Sequence, residues 1–272
     1  MQRKALYFLN ALAIIYALDR QAWAQSDFSL KYSFLVGAMD SLSRSALFIK
    51  TPQHYGTCTV FTVPFSDSSE LGAVYVATTR HVLNMTDSTQ RVIGRWDTAT
   101  VYARLKSGGL EKRKYTIVLE DKKLDIAILR HVEKFRSFSE YDIFCVSTKQ
   151  FATYSEIRRG QQVFLAGYPF GRGFTSTNLN PVVQAGIVAQ VDTLMARVLI
   201  DIPINLGNSG CPVYVLTNSG ETKLLGLVFG YEPSLEDVVI RTSTGQVVPE
   251  NTSLGRVTLL RAVAVALTDR AR

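Results

Sequence analysis

The sequence predicts an all-β fold made of two barrels packed side by side. Three observations point there. Apolar and β-branched residues come in short runs broken by turn residues, the pattern of strands rather than of long amphipathic helices. The runs form two series of similar length, divided by a less regular stretch from about Val132 to Gly160. Little of the chain reads as helix before its end. Many short strands joined by glycine-rich turns build a barrel or a sandwich.

The first series reads as strands over Thr57–Phe65, Ala73–Thr78, Ala99–Lys106, Tyr115–Glu120 and Ile126–Arg130. In Ala99–Lys106, Val101, Ala103 and Leu105 alternate with Tyr102, Arg104 and Lys106, the period of two that marks a half-buried strand. Gly108-Gly109 then reads as a hairpin turn. The second series covers Gln162–Gly167, Val182–Val191, Arg197–Ile202, Pro212–Leu216 and Lys223–Tyr231, with Asn218-Ser219-Gly220 turning between the last two. Val257–Leu267 lacks breakers and carries Leu259, Leu260, Val263 and Val265 with Arg261, so it reads as a short C-terminal helix. The organisation expected is a leader over 1–24, an N-terminal segment over 25–44, a first barrel over 45–150 and a second over 151–272 ending in that helix.

A length of 272 residues with 47% hydrophobic and 19% charged residues fits a globular chain with a core of its own. Arg3 and Lys4 followed by the apolar run Ala5–Leu18 and by Ala22-Trp23-Ala24 have the pattern of an export signal cleaved after Ala24, with an uncleaved membrane anchor as the alternative. The run is about 14 residues, short against the roughly 20 that span a bilayer, so no stable membrane span is expected after cleavage. The expected location is periplasmic or extracellular. The formal net charge is +7, and the leader holds part of it in Arg3, Lys4 and Arg20 against Asp19. The remaining basic residues are scattered, densest at Lys112-Arg113-Lys114, with no aromatic interleaving, so nucleic-acid binding is not expected. Three cysteines, Cys58, Cys145 and Cys211, leave at least one thiol unpaired within the chain. No pair has zinc-ligand spacing, so no metal site and no cofactor are expected.

Three segments carry chemistry. Val76–Leu83 places His81 at the end of an apolar strand, and Leu124–Leu129 opens another with Asp125. Asn205–Pro212 sets Asn208-Ser209 between Gly207 and Gly210 inside apolar flanks. Each segment alone has an ordinary structural explanation. Together they supply a poor nucleophile, the base it needs and a carboxylate to orient that base. Their chain order, His then Asp then Ser, differs from the Asp-His-Ser and Ser-Asp-His orders of two other triad folds. A G-x-S-x-G elbow is unmet, because Cys211 stands where its second glycine would be.

Ala77-Thr78-Thr79-Arg80-His81, Asp125-Ile126-Ala127-Ile128-Leu129 and Gly207-Asn208-Ser209-Gly210-Cys211-Pro212 resemble the three active-site blocks of trypsin-like serine peptidases. The closer resemblance is to HtrA/Deg-type protease domains, which Gly167-Tyr168-Pro169-Phe170-Gly171 also resembles. It spans about Ser45 to Tyr231 and implies two antiparallel six-stranded β-barrels of the chymotrypsin-like kind, with the site between them. It also implies His81, Asp125 and Ser209 as the catalytic triad, and the N–H groups of Gly207 and Ser209 as an oxyanion hole. Pro203 and Ile204, with Val228, Phe229 and Gly230, would form the substrate-binding wall, and the strand around Leu227–Tyr231 would pair with an extended peptide. The partners implied are protein or peptide substrates, with the oligomeric state left open.

The sequence departs from the family pattern in places. Cys211 replaces a usual glycine and is expected as a small buried residue. Asn208 replaces the aspartate that serves zymogen activation in trypsin, so that switch is not expected. No acid stands where trypsin binds basic side chains, so an apolar residue is expected on the acyl side of the cut bond. No PDZ domain is expected after Tyr231. Two other functions fit the same residues: an inactive homologue that binds peptides or a partner, and an ester hydrolase.

Overall fold

In the computed structural model, residues 37, 39–66, 69, 72–132, 138–233, 239–241, 247–249 and 251–261 are described. The expected leader, residues 1–24, lies outside them. The chain divides into two compact units, Met1–Ser41 and Leu42–Arg272, and both barrels belong to the second.

The first barrel has six strands: β1 (Ala46–Lys50), β2 (Tyr55–Pro64), β3 (Gly72–Thr79), β4 (Thr98–Arg104), β5 (Leu110–Asp121) and β6 (Ile126–His131). They close a ring in the order β1-β2-β3-β6-β5-β4, and the short strand Val146–Ser147 adds in parallel beside β2. The second barrel has β7 (Gln162–Gly167), β8 (Val182–Asp192), β9 (Arg197–Asp201), β10 (Pro212–Leu216), β11 (Thr222–Pro233) and β12 (Asn251–Leu259). Its ring runs β7-β8-β9-β12-β11-β10. The ring order is therefore the same, first-second-third-sixth-fifth-fourth. The barrels are a structural duplication that the sequence does not display. Closure removes the open strand edges that an isolated sheet would expose.

Alternation decides which residues fill each barrel. Val101 and Ala99 of β4 point inward while Thr100 and Tyr102 are half-buried, and Leu47, Ile49, Cys58, Val60 and Leu129 complete the first core. The second core holds Val163, Leu165, Val198, Ile200, Val213, Val215, Val228 and Val257. A third cluster joins the barrels: Phe61, Tyr75 and Ile128 of the first meet Tyr214, Leu224 and Leu227 of the second. Within it Ser45 and Tyr214 share a buried hydroxyl–hydroxyl hydrogen bond of 2.5 Å. This apolar wedge sets the relative position of the two barrels, because sliding them would expose large side chains that are less than 7% accessible.

One expectation is corrected. Val257–Leu259 is not the start of a helix but the end of β12, which pairs with both β9 and β11. Gly255, Val257 and Leu259 face the core at a period of two. Without that strand the second barrel would stay open between β9 and β11, so tertiary closure overrides the local helical character. Arg261 is helical, and residues 262–267 of the expected helix lie outside the described residues. Among the described residues, no helix is long and apolar enough to cross a membrane.

Candidate active site

His81 sits on a 3-10 turn, Arg80–Leu83, that directly continues β3. Val82 and Leu83 of that turn are buried, which anchors it and leaves the imidazole facing the cleft. Asp125 ends the tight connection between β5 and β6 in a left-handed conformation, φ 55°. Aspartate is among the few residues that tolerate this region. Asp121 stabilises the turn by accepting the Lys123 and Leu124 N–H groups at 2.8 and 2.9 Å. Ser209 lies in the loop between β9 and β10, flanked by Gly207 at φ 94° and Gly210 at φ 86°. A Cβ on Gly207 would collide with the Tyr168 carbonyl, and one on Gly210 with the Thr57 carbonyl. Both positions therefore need glycine for space as well as for backbone angle.

These three side chains, 44 and 128 residues apart along the chain, form one hydrogen-bonded line. His81 Nδ1 is 2.6 Å from Asp125 Oδ2, and His81 Nε2 is 2.7 Å from Ser209 Oγ. Asp125 Oδ1 also accepts the His81 backbone N–H at 3.1 Å. A carboxylate only accepts, so Nδ1 carries the proton and Nε2 presents its lone pair to the serine. The imidazole is 40% exposed and the carboxylate 27%, so solvent and a ligand reach the histidine while the acid is half-buried behind it. The nearby guanidinium groups of Arg80 and Arg95 pair with Glu120 rather than with Asp125. They leave the aspartate to the histidine.

Of the other sequence-predicted residues, Ile204 and Val228 place their side chains in the second core, and Pro203 is exposed. Val228 exchanges backbone hydrogen bonds with Gly210 and Cys211, which brings β11 beside the serine loop. Phe229 is half-buried under the guanidinium groups of Arg197 and Arg256, at 5.1 and 6.0 Å from its ring centre. The N–H groups of Gly207 and Ser209 donate to no acceptor among the described residues. Cys211 is buried in the second core, and burial pushes its thiol up to about 12. A Cβ at position 167 would collide with its sulfur, so Gly167 makes the room that Cys211 needs. All three cysteines are free. Sequence reasoning missed the role of Thr57, whose hydroxyl donates to the Gly207 carbonyl at 2.8 Å. A threonine inside a strand run carries no mark of a partner so far away in the chain.

The trypsin-like peptidase domain pattern matches residues 56–227, from the start of β2 into β11. Among solved structures, the chain is similar to an HtrA-type protease with a bound tripeptide, at 17% identity and a TM-score of 0.53 over 86% of this chain. It spans 62% of that protein's length. It is also similar to the serine endoprotease of Yersinia pestis, at 16% identity and 0.51 over 86% of this chain and 65% of the other. The MamO protease domain of Magnetospirillum magneticum aligns at 14% identity and 0.50, over 83% of this chain and 97% of the other. At such identities the structural likeness speaks for the fold alone. No curated protein matches the sequence. The domain pattern covers more than half of the chain, including the segments of His81, Asp125 and Ser209, and on that ground the chain belongs to the trypsin-like peptidase family.

Proposed function

We propose that this chain is an active serine endopeptidase that cuts peptide bonds through an acyl-enzyme. The observation that carries the reading is the continuous line Asp125–His81–Ser209, with contacts of 2.6 and 2.7 Å. Ser209 Oγ attacks the scissile carbonyl carbon as its proton passes to His81 Nε2. Asp125 holds the imidazole in the tautomer that accepts this proton and stabilises the imidazolium. The carbonyl oxygen becomes an oxyanion facing the N–H groups of Gly207 and Ser209. Each such donor lowers the barrier by about 2.7–4 kcal/mol in related chemistry. The tetrahedral centre then collapses: the carbon–nitrogen bond breaks, and His81 gives its proton to the leaving amine. Water repeats the sequence on the acyl-enzyme, giving up one proton to His81 and releasing the acid and free Ser209.

The substrate-side reading follows the same geometry. β11 lies beside the serine loop, so an extended peptide would add to it by backbone pairing. With Ile204 and Val228 turned into the core, their part in binding is through the backbone. We propose an apolar residue on the acyl side of the cut, and export guided by residues 1–24. Incubation with a fluorophosphonate tests the central claim. Wild-type protein gains one phosphonyl group at Ser209, and Ser209→Ala gains none. An unreactive wild type would instead favour a peptide-binding homologue, and turnover of esters but of no peptide would favour an ester hydrolase.

A further inference from the structure

Thr57 belongs to β2 of the first barrel, yet its side chain serves the serine loop of the second. It is fully buried. Its hydroxyl donates to the Gly207 carbonyl at 2.8 Å and accepts the Tyr168 N–H at 3.2 Å, with the Cys211 thiol at 3.4 Å. One proton and two lone pairs are all a hydroxyl has, and this one uses them all. The Thr57 N–H donates to the Ser209 carbonyl at 2.9 Å, and the Thr57 carbonyl accepts the Thr78 hydroxyl at 2.8 Å. One residue thus holds the carbonyls of both Gly207 and Ser209.

The direction of the Gly207 N–H depends on how the peptide planes on either side of its Cα are turned. Glycine offers little resistance to such turning. The plane that carries the Gly207 N–H is held by one hydrogen bond, and the plane after it by one on its carbonyl and one on its N–H, the Asn208 N–H donating to the Asn205 carbonyl at 3.0 Å. The Phe170 N–H takes the Leu206 carbonyl at 2.5 Å, and in a trans peptide this carbonyl points opposite to the Gly207 N–H of the same plane. The Thr57 hydroxyl takes the Gly207 carbonyl in the next plane. Without that hydroxyl nothing holds the Gly207 carbonyl, the second plane keeps only the Asn208–Asn205 bond, and Gly207 is freer to change its ψ and with it the φ of 94° at which its N–H now points.

We propose that the Thr57 hydroxyl is a positioning group that aims the oxyanion-hole N–H of Gly207, a role that rests on the peptidase reading above. It touches no reacting atom and acts only through Gly207. The test compares full-length wild type, Thr57→Val, Thr57→Ser and Ser45→Ala. The last is a control that breaks the Ser45–Tyr214 pair between the barrels. Turnover of a chromogenic peptide, the rate of Ser209 phosphonylation and the melting temperature are measured on each. Thr57→Val is expected to lower kcat and the phosphonylation rate by about 30- to 100-fold while KM moves less than about threefold, short of the ~10²–10³ for losing a donor outright. Thr57→Ser is expected to restore both rates to within about threefold, since it keeps the hydroxyl. Ser45→Ala lowers the melting temperature without slowing turnover. A folded Thr57→Val with wild-type kcat overturns the proposal, as does a Thr57→Ser as slow as Thr57→Val. So does Ser45→Ala losing turnover as Thr57→Val does. Should Thr57→Val not fold, the smaller Thr57→Ala makes the same comparison, and failure of both to fold makes the hydroxyl structural and overturns the proposal. A wild type whose Ser209 does not react overturns the peptidase reading first, and this role with it.

Discussion

In the first barrel, the turn after the third strand and the turn before the sixth each bring one titratable side chain to the cleft, His81 and Asp125. In the second barrel, one loop before the fourth strand brings a hydroxyl together with two N–H groups that have no acceptor among the described residues. The ring order is identical, so the difference lies in what the connections carry. The first barrel contributes side-chain chemistry, which depends on residue identity. The second contributes mainly backbone direction, which depends on glycines and on buried hydrogen bonds reaching over from Thr57 and Thr59 of the first.

That division can be broken by mutation. On the proposed roles, removing Ser209 or His81 should be about equally severe although they come from different barrels. Ser209→Ala and His81→Ala are each expected to lower kcat by about 10⁶-fold, and the double variant by little more, because the two act as one unit. Steady-state peptide turnover checks this. Asp125→Asn keeps the shape but reverses the hydrogen bond that sets the tautomer, for about 10⁴-fold in kcat at unchanged folding. Gly207→Ala tests the backbone side. Its Cβ meets the Tyr168 carbonyl and φ 94° disfavours it, so kcat should fall by about 10²–10³ with KM nearly constant. If Gly207→Ala instead weakened binding alone, the loop would be a substrate wall rather than an anion site.

The smallest effect sharpens the comparison away from the site. Glu156, in the turn leading into the second barrel, pairs with Lys223 of β11, and that ammonium with the Thr153 hydrogen bonds holds its carboxyl down to about 2. A depressed carboxyl stabilises the fold above its unfolded value of about 4.3 and loses that contribution as pH falls toward 2. Glu156→Gln is therefore expected to cost under about 1 kcal/mol near neutral pH and distinctly less at pH 2, as for a solvent-facing pair. Urea unfolding at both pH values measures it, with turnover unaffected.

Much of this was legible from the chain alone. Gln162–Gly167 and Pro212–Leu216 form strands with the expected bounds, and Gly108-Gly109 and Gly220 turn with positive φ where the runs break. β1 escaped notice because Ala46–Ile49 is buried on both faces and shows no alternation. The end of β12 read as helix because Val257–Leu259 continues into a breaker-free run, and only the gap between β9 and β11 makes it a strand.

By itself the sequence determined the period-two patterning of most strands, the turns between them, and the identity and order of a histidine, an aspartate and a serine in three separated segments. These are local properties, set by residue type and its near neighbours. The tertiary structure decided the 2.6 and 2.7 Å contacts, the left-handed turn at Asp125 and the hold of Thr57 on a carbonyl 150 residues away. Those depend on how two closed barrels press together through Phe61, Tyr75, Tyr214 and Leu227. Packing of that kind is a sum over distant surfaces, and no stretch of chain carries it alone.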